Sequence, residues 1–278
     1  MKLQQLEQHL DDSSLPSLPA ILTQLIAILD EPEINISELC LLVSADIALS
    51  ARVLSVVNSA WYSLPQPVES IHQAVSLIGL RELRALVAGA KVAEMFRKVP
   101  SELIDMHRMW QNTYVSACLA GEMGGLHKLG NSKLYTIGLL HHVGLMAMLQ
   151  CMPEQMAGLI LSAKGNEQEL YLKEKRLLGY THADVSAMMM RRWGLPEVFA
   201  DVCTYHHEFY RATRHTRESA IIYLADDLAQ LISPIMNIQM FTQNPDLAIY
   251  DYLSMTPERI ESYVQRGQAH KEMASMLY

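Results

Sequence analysis

The sequence has few cysteines and few aromatic residues, and it has no excess of positive charge. Its four cysteines are scattered without paired spacing among apolar residues, which predicts buried free thiols in a reducing compartment. Aromatic residues make up only 7% of the chain whereas methionines number 17, so we expect methionine to fill much of the core. The formal net charge of -8 at pH 7 argues against a large nucleic-acid-binding surface.

The beginning of the chain shows no targeting signal. Residues 1–12 are polar and match neither a secretory signal peptide nor a lipidation motif. We therefore expect a cytoplasmic protein that does not bind a membrane. The length of 278 residues suits one large domain or two modest ones, and the 50% of hydrophobic residues are ample for a sizeable core.

Hydrophobic periodicity predicts helices along almost the whole chain. Leucine, alanine and methionine dominate over the β-branched residues, which favours helices over strands. The predicted helices are Ile21–Leu29, Ser37–Val43, one capped by Asp46, one from Ser70 to Gly79, Leu80–Met95, Glu102–Met123, Leu134–Leu149, Glu154–Ala163, Glu167–Leu178, one capped by Thr181 and ending at Trp193, Glu197–His206, Arg217–Ile232 and a last one from Pro257. We therefore predict an all-α fold.

An apolar run from Leu134 to Met152 lies at the middle of the chain and includes the pair His141-His142. Its length suits a membrane span, but its two histidines, a glutamine and two glycines favour a central buried helix. An unpaired buried polar group costs about 1–3 kcal/mol, so both histidines need partners. They are either core histidines bonded to carbonyls or part of a metal site.

Further histidines and a carboxylate occur on other predicted helices, at His182, at His206 and His207, and at Asp226. Imidazoles and carboxylates drawn from separate helices of a bundle are how di-metal sites are built. A different arrangement is also open, in which His206 activates Cys203 one turn away on the same helix. That arrangement lacks a residue to orient the imidazole.

Short motifs surround these residues in a characteristic order. They are Leu15-Pro-Ser-Leu-Pro19, Ser44-Ala-Asp46, Asn58-Ser59-Ala60, Gln73-Ala74, Leu77-Ile78-Gly79-Leu80, Trp110, Gly138-Leu-Leu-His141 with Gly144, His182, Trp193-Gly-Leu-Pro196, His206-His207 and Ala225-Asp226. Over about residues 15–226 the sequence resembles the bacterial HDOD domain proteins, within the HD superfamily of metal-dependent phosphohydrolases. The resemblance implies an N-terminal helical lobe (1–100), an HD-like helical bundle (101–232) and a C-terminal helical extension (233–278), similar in outline to HD-GYP cyclic di-GMP phosphodiesterases.

The resemblance also implies a set of metal ligands. The residues that match it, together with the second histidine of the pair, are His141, His142, His182, His206, His207 and Asp226. The chain departs from the pattern at four places. Asn112 replaces the first metal histidine, His142 replaces the aspartate of the His-Asp pair, Leu145 replaces a lysine, and a Gly-Tyr-Pro loop is absent from 208–212.

These departures weaken the prediction of catalysis. A neutral imidazole cannot bridge two metals about 3.5–4 Å apart as a carboxylate does, and leucine cannot stabilise phosphate charge. We expect at most one divalent transition metal, Zn, Ni, Fe or Mn, or none. The predicted function is a non-catalytic signalling module with a protein partner or a small nucleotide ligand. The alternative is a phosphohydrolase acting on a nucleotide or phosphoester, in which His142 is a ligand or general base.

Overall fold

The computed structural model describes residues 15–27, 36–59, 62, 64–99, 104–235 and 247–277. All regular secondary structure in these ranges is helical, which confirms the predicted all-α fold. In chain order the helices are α1 (Ala20–Ala27), α2 (Ile36–Ser44), α3 (Ile47–Val57), α4 (Ile71–Ile78), α5 (Leu80–Met95), α6 (Met106–Leu126), α7 (Asn131–Leu140), α8 (Val143–Cys151), α9 (Pro153–Ala163), α10 (Glu167–Leu177), α11 (His182–Arg192), α12 (Glu197–Tyr205), α13 (Thr216–Ile232), α14 (Leu247–Tyr252) and α15 (Pro257–Leu277).

Three helices begin after the capping residues that the sequence predicts. The carboxylate of Asp46 accepts a hydrogen bond from the backbone amide of Leu49 at 3.0 Å. Ser70 and Thr181 each form a capping box with the residue three positions later. The predicted start of the second helix at Ser37 differs by one residue from the structure, because α2 begins at Ile36. The predicted helix ends at 29 and 102 lie outside the described residues.

The largest departure from the predicted helices is a turn at His141 and His142. The prediction of one helix over Leu134–Leu149 is wrong, because this stretch forms α7 and α8. Ser186 of α11 replaces the interrupted helical bonds: its hydroxyl donates to the carbonyl of His141 at 2.6 Å and accepts from the amide of Gly144 at 2.9 Å. Only glycine permits this approach, since a Cβ at position 144 would overlap with the backbone of α11.

The same central segment is buried. Among the described residues, Asn131–Cys151 is the one helical segment long and apolar enough to cross a membrane, and 83% of its most apolar window is buried inside the fold. That burial supports its interpretation as part of the core.

Helix α6 organises the packing around this segment. It packs against α7, α13 and α15, while α8 packs against α11 and α11 packs against α12. These contacts bring the turn between α7 and α8 close to the beginning of α11 and to the end of α12. The helices that carry the predicted metal ligands therefore meet in one part of the bundle.

The C-terminal helix α15 is packed onto the bundle. Glu122 of α6 contacts two residues of α15, His270 at 2.9 Å and Arg266 at 2.7 Å. Nearby, the hydroxyl of Tyr114 donates to the sulfur of Met273 at 3.0 Å. Met273 is 5% exposed and belongs to the main hydrophobic core, so α15 shares that core with α6 and α13.

Candidate metal centre

The six predicted ligands lie at the ends or on the buried faces of different helices. His141 and His142 occupy the turn between α7 and α8, and His182 is the first residue of α11. His206 and His207 directly follow α12, and Asp226 lies in α13. The exposed fractions of these residues range from 0% to 7%, so the centre is interior.

The six side chains form two overlapping groups in space. Each group consists of residues that offer ligand atoms within 4.8 Å of one another. The first group is His142, His182, His206 and His207, and the second is His141, His142 and Asp226. His142 belongs to both groups, so it lies at the middle of the cluster.

Backbone carbonyl groups fix the orientation of two of these imidazoles. Nδ1 of His141 donates to the carbonyl of Gly138 at 2.5 Å, and Nδ1 of His206 donates to that of Cys203 at 2.6 Å. A carbonyl oxygen only accepts, so both protons lie on Nδ1 and each Nε2 carries a lone pair. Neither Nε2 atom has a hydrogen-bond partner, although both are buried. This is the orientation of a metal-binding histidine.

Glu174 orients a third imidazole, and the sequence analysis did not identify it. Its carboxylate is 0% exposed and contacts Nδ1 of His182 at 2.7 Å. It also accepts from the backbone amide of His182 at 2.9 Å. Burial lowers the pKa of His182, but the carboxylates of Glu174 and its neighbours more than offset this effect, so the pKa is raised. Nε2 of His182 lies 2.9 Å from Nε2 of His207, inside the cluster.

Glu167 is a second carboxylate that the sequence analysis missed. Its Oε1 atom lies 2.5 Å from Nε2 of His142, without the alignment of a hydrogen bond. Its Oε2 atom accepts from the side-chain amide of Gln230. Asp226 also lies near the pair, with one oxygen 3.9 Å from Nε2 of His142 and the other 3.5 Å from Nε2 of His141. Two carboxylates therefore flank the pair.

Burial keeps most of the cluster uncharged. It lowers the pKa of His142, His206 and His207 well below the usual value, and the neighbouring imidazoles lower it further. Burial also raises the pKa of the Glu167 carboxyl. Neutral imidazole is the form that binds a metal, so these histidines are ready to coordinate at neutral pH.

Cys203 does not form the alternative nucleophilic pair in this arrangement. All four cysteines are free, as predicted, but only Cys40 and Cys203 are buried, whereas Cys118 and Cys151 are half-buried. Burial strongly raises the pKa of the Cys203 thiol, so the thiol stays protonated at neutral pH. His206 uses its Nδ1 atom to bond the backbone carbonyl of Cys203. The geometry assigns His206 to the histidine cluster.

The profile of the HDOD domain family matches residues 15–209 of the sequence. This chain belongs to the HDOD domain family. An uncharacterized protein of Treponema pallidum is 25% identical to it over 205 residues, which are 73% of this chain and 39% of that protein. The HDOD chain therefore spans about two fifths of the length of that relative.

Several solved structures share the HDOD fold with this chain. An HDOD domain protein of unknown function from Geobacter sulfurreducens is 23% identical, with a TM-score of 0.76, over 97% of this chain and 90% of that one. A proposed phosphohydrolase from Shewanella amazonensis SB2B is 22% identical, with a TM-score of 0.76 over 99% and 98% of the two chains. A proposed signal transduction protein from Marinobacter aquaeolei VT8 is 22% identical, with a TM-score of 0.79 over 99% and 65%.

The residues that depart from the HDOD pattern have structural roles in this chain. The side-chain amide of Asn112 donates to the carbonyl of Ser233 at 3.2 Å, which joins α6 to the end of α13. Leu145 is 0% exposed and packs in the hydrophobic core. Both positions therefore contribute to helix packing.

The cluster of this HDOD chain fits a divalent transition metal. It combines imidazole nitrogens with a carboxylate, the donor types that zinc, nickel, iron and manganese accept. The unpartnered Nε2 atoms of His141 and His206 are buried, and an unsatisfied buried polar atom costs about 1–3 kcal/mol. A metal ion bound to either group would give one of these atoms a partner.

Proposed function

We propose that this HDOD protein is a regulatory module whose histidine cluster binds one divalent transition metal ion and does not hydrolyse phosphodiesters. The observation that carries the proposal is the position of His142 at the middle of the cluster. An imidazole offers one lone pair to one metal, whereas two-metal hydrolysis needs a bridging carboxylate at this position.

The proposed ligands come from four separate places in the fold. His141 lies between α7 and α8, His182 begins α11, His206 follows α12 and Asp226 lies in α13. A bound ion would supply a cross-link between these helices and would stabilise their arrangement by mass action. We propose that a protein partner or a small nucleotide binds to this arrangement of helices. The name of the Marinobacter relative, a proposed signal transduction protein, supports this proposal.

The second candidate function is a metal-dependent phosphohydrolase with a single metal. The two carboxylates of Glu167 and Asp226 beside His142 favour this candidate. A carboxylate next to a metal-bound water can act as a general base. Against it stands the near-complete burial of the cluster among the described residues, where His141 and His182 are 0% exposed.

The proposal predicts no phosphodiesterase activity. The tag-free protein, loaded in turn with Mn²⁺, Fe²⁺, Zn²⁺ and Ni²⁺, is incubated with cyclic di-GMP and with bis(p-nitrophenyl) phosphate. We expect no turnover above buffer, because the imidazole of His142 cannot bridge two metals and Leu145 cannot stabilise phosphate charge.

Two variants separate true turnover from contamination. His141→Ala removes a proposed ligand, and His72→Ala removes an exposed histidine of α4. Turnover that persists in His72→Ala and disappears in His141→Ala would establish the phosphohydrolase and refute the non-catalytic proposal. Equal background rates in all three proteins are the expected result.

A further inference from the structure

We propose that Glu167 supplies to the metal centre the carboxylate oxygen that the His141-His142 pair lacks. This inference rests on the proposed function, since it assigns a ligand to the same ion. It places the oxygen on a different helix, α10, which lies 25 positions further along the sequence than His142. The centre would thus combine histidine nitrogens with two carboxylates, Glu167 and Asp226.

The position of the Glu167 side chain carries the inference. Oε1 lies 2.5 Å from Nε2 of His142, so it reaches the side-chain end of the residue that replaces the family aspartate. That oxygen is buried and has no hydrogen-bond partner. The Glu167 side chain is 10% exposed, so solvent offers its carboxyl group little compensation. A buried oxygen that has no hydrogen-bond partner and lies against His142, the histidine shared by both ligand groups, is placed to become a further metal ligand.

Gln230 holds the carboxylate of Glu167 in place by a hydrogen bond. Its side-chain amide donates to Oε2 of Glu167, while its side-chain oxygen accepts from the amide of Ile235 at 3.3 Å. Gln230 lies four residues after Asp226 on α13, so both side chains project from the same face of that helix. Helix α13 therefore contributes the carboxylate of Asp226 and also holds that of Glu167 through the amide of Gln230. Oε2 is occupied and Oε1 stays available.

The buried carboxylates of Glu167 and Asp226 also favour the binding of a cation. Among the described residues, the ion-pair contacts of Glu167 and Asp226 are to His141 and His142 alone. Neither carboxylate contacts a lysine or arginine among these residues, and a buried carboxylate needs a compensating partner. A divalent ion between them would compensate both, and mixed nitrogen and oxygen donors suit the first-row transition metals.

The test measures Co²⁺ binding to protein stripped of metal with a chelator and purified without a histidine tag. The readouts are the dissociation constant and the visible absorption spectrum of bound Co²⁺, which depends on the donor atoms. Glu167→Gln keeps the size of the side chain and removes its charge. Glu169→Gln is the matched control, because Glu169 is an exposed glutamate on the same helix.

We expect Glu167→Gln to bind Co²⁺ about 10- to 100-fold more weakly than the wild type, with a changed spectrum. Glu167→Asp should give a smaller loss, because it keeps the charge and withdraws the oxygen by one methylene. Gln230→Ala should also weaken binding, while Glu169→Gln should leave affinity and spectrum unchanged. Circular dichroism checks that each variant is folded, and Glu167→Asp replaces Glu167→Gln if the latter is not.

The outcomes separate the two proposals. Wild-type protein that binds Co²⁺, with Glu167→Gln and Glu167→Asp binding equally tightly and with the same spectrum, would overturn the assignment of Glu167 and leave the metal-binding function intact. Wild-type protein that binds no Co²⁺ would instead overturn the proposed function itself. Weakened binding confined to the Glu167 and Gln230 variants supports both.

Discussion

Gly144→Ala is expected to lower the free energy of unfolding by about 3 kcal/mol, the upper end of the usual cost of overpacking. A Cβ at position 144 would overlap with the carbonyl oxygen of His182 and the amide nitrogen of Ser186. Both are backbone atoms, so no rotamer change can relieve the overlap and α8 must move away from α11. The movement would also break the bonds that the Ser186 hydroxyl makes to Gly144 and to His141.

Urea denaturation measures this loss directly, with Gly158→Ala as the matched control. Gly158 lies in the exposed part of α9, and a Cβ there meets nothing within 4 Å. We expect Gly158→Ala to stabilise the protein by about 0.4–1 kcal/mol. Equal stability of Gly144→Ala and wild type would show that α8 and α11 do not pack as described.

His182→Ala is expected to cost the metal-free protein about 3–5 kcal/mol, because it removes one partner of a buried pair. Glu174 is 0% exposed and would keep only the backbone amide of residue 182 as a donor. His207 would lose the partner that lies 2.9 Å from its Nε2 atom. The loss should therefore exceed that of an ordinary surface substitution several-fold.

Chelator is present throughout this measurement, so that loss of a bound metal does not contribute. The exposed substitution His72→Ala is the control and should change stability by less than about 0.5 kcal/mol. Adding Glu174→Gln to His182→Ala removes the uncompensated charge and should recover part of the loss. If His182→Ala unfolds like His72→Ala, the buried pair does not contribute to stability.

The starts of helices were predicted correctly where hydrogen bonds between nearby residues determine them. Asp46, Ser70 and Thr181 cap their helices through residues three positions later, a relation that the sequence displays directly. The turn at His141 was not predictable in this way. It depends on Ser186, which lies 45 residues later and meets the turn only in the packed bundle.

The candidate site likewise contains residues that the sequence could identify and residues that it could not. Its histidines were found from residue type and family pattern, whereas Glu167 and Glu174 were missed because α10 is rich in charged residues and suggests a solvated helix. A signal was present nevertheless. Glu167, Leu170, Tyr171 and Glu174 follow the spacing of one helix face, and all four are buried. Two glutamates on the apolar face of a helix are therefore a pattern that predicts buried partners.

The most direct test of the central claim is the transition-metal content of the protein, purified without a histidine tag and reconstituted with excess metal. Elemental analysis after removal of unbound ions should give one metal per chain, because His142 cannot bridge two. Two metals per chain at full occupancy, or none after reconstitution, would contradict the account.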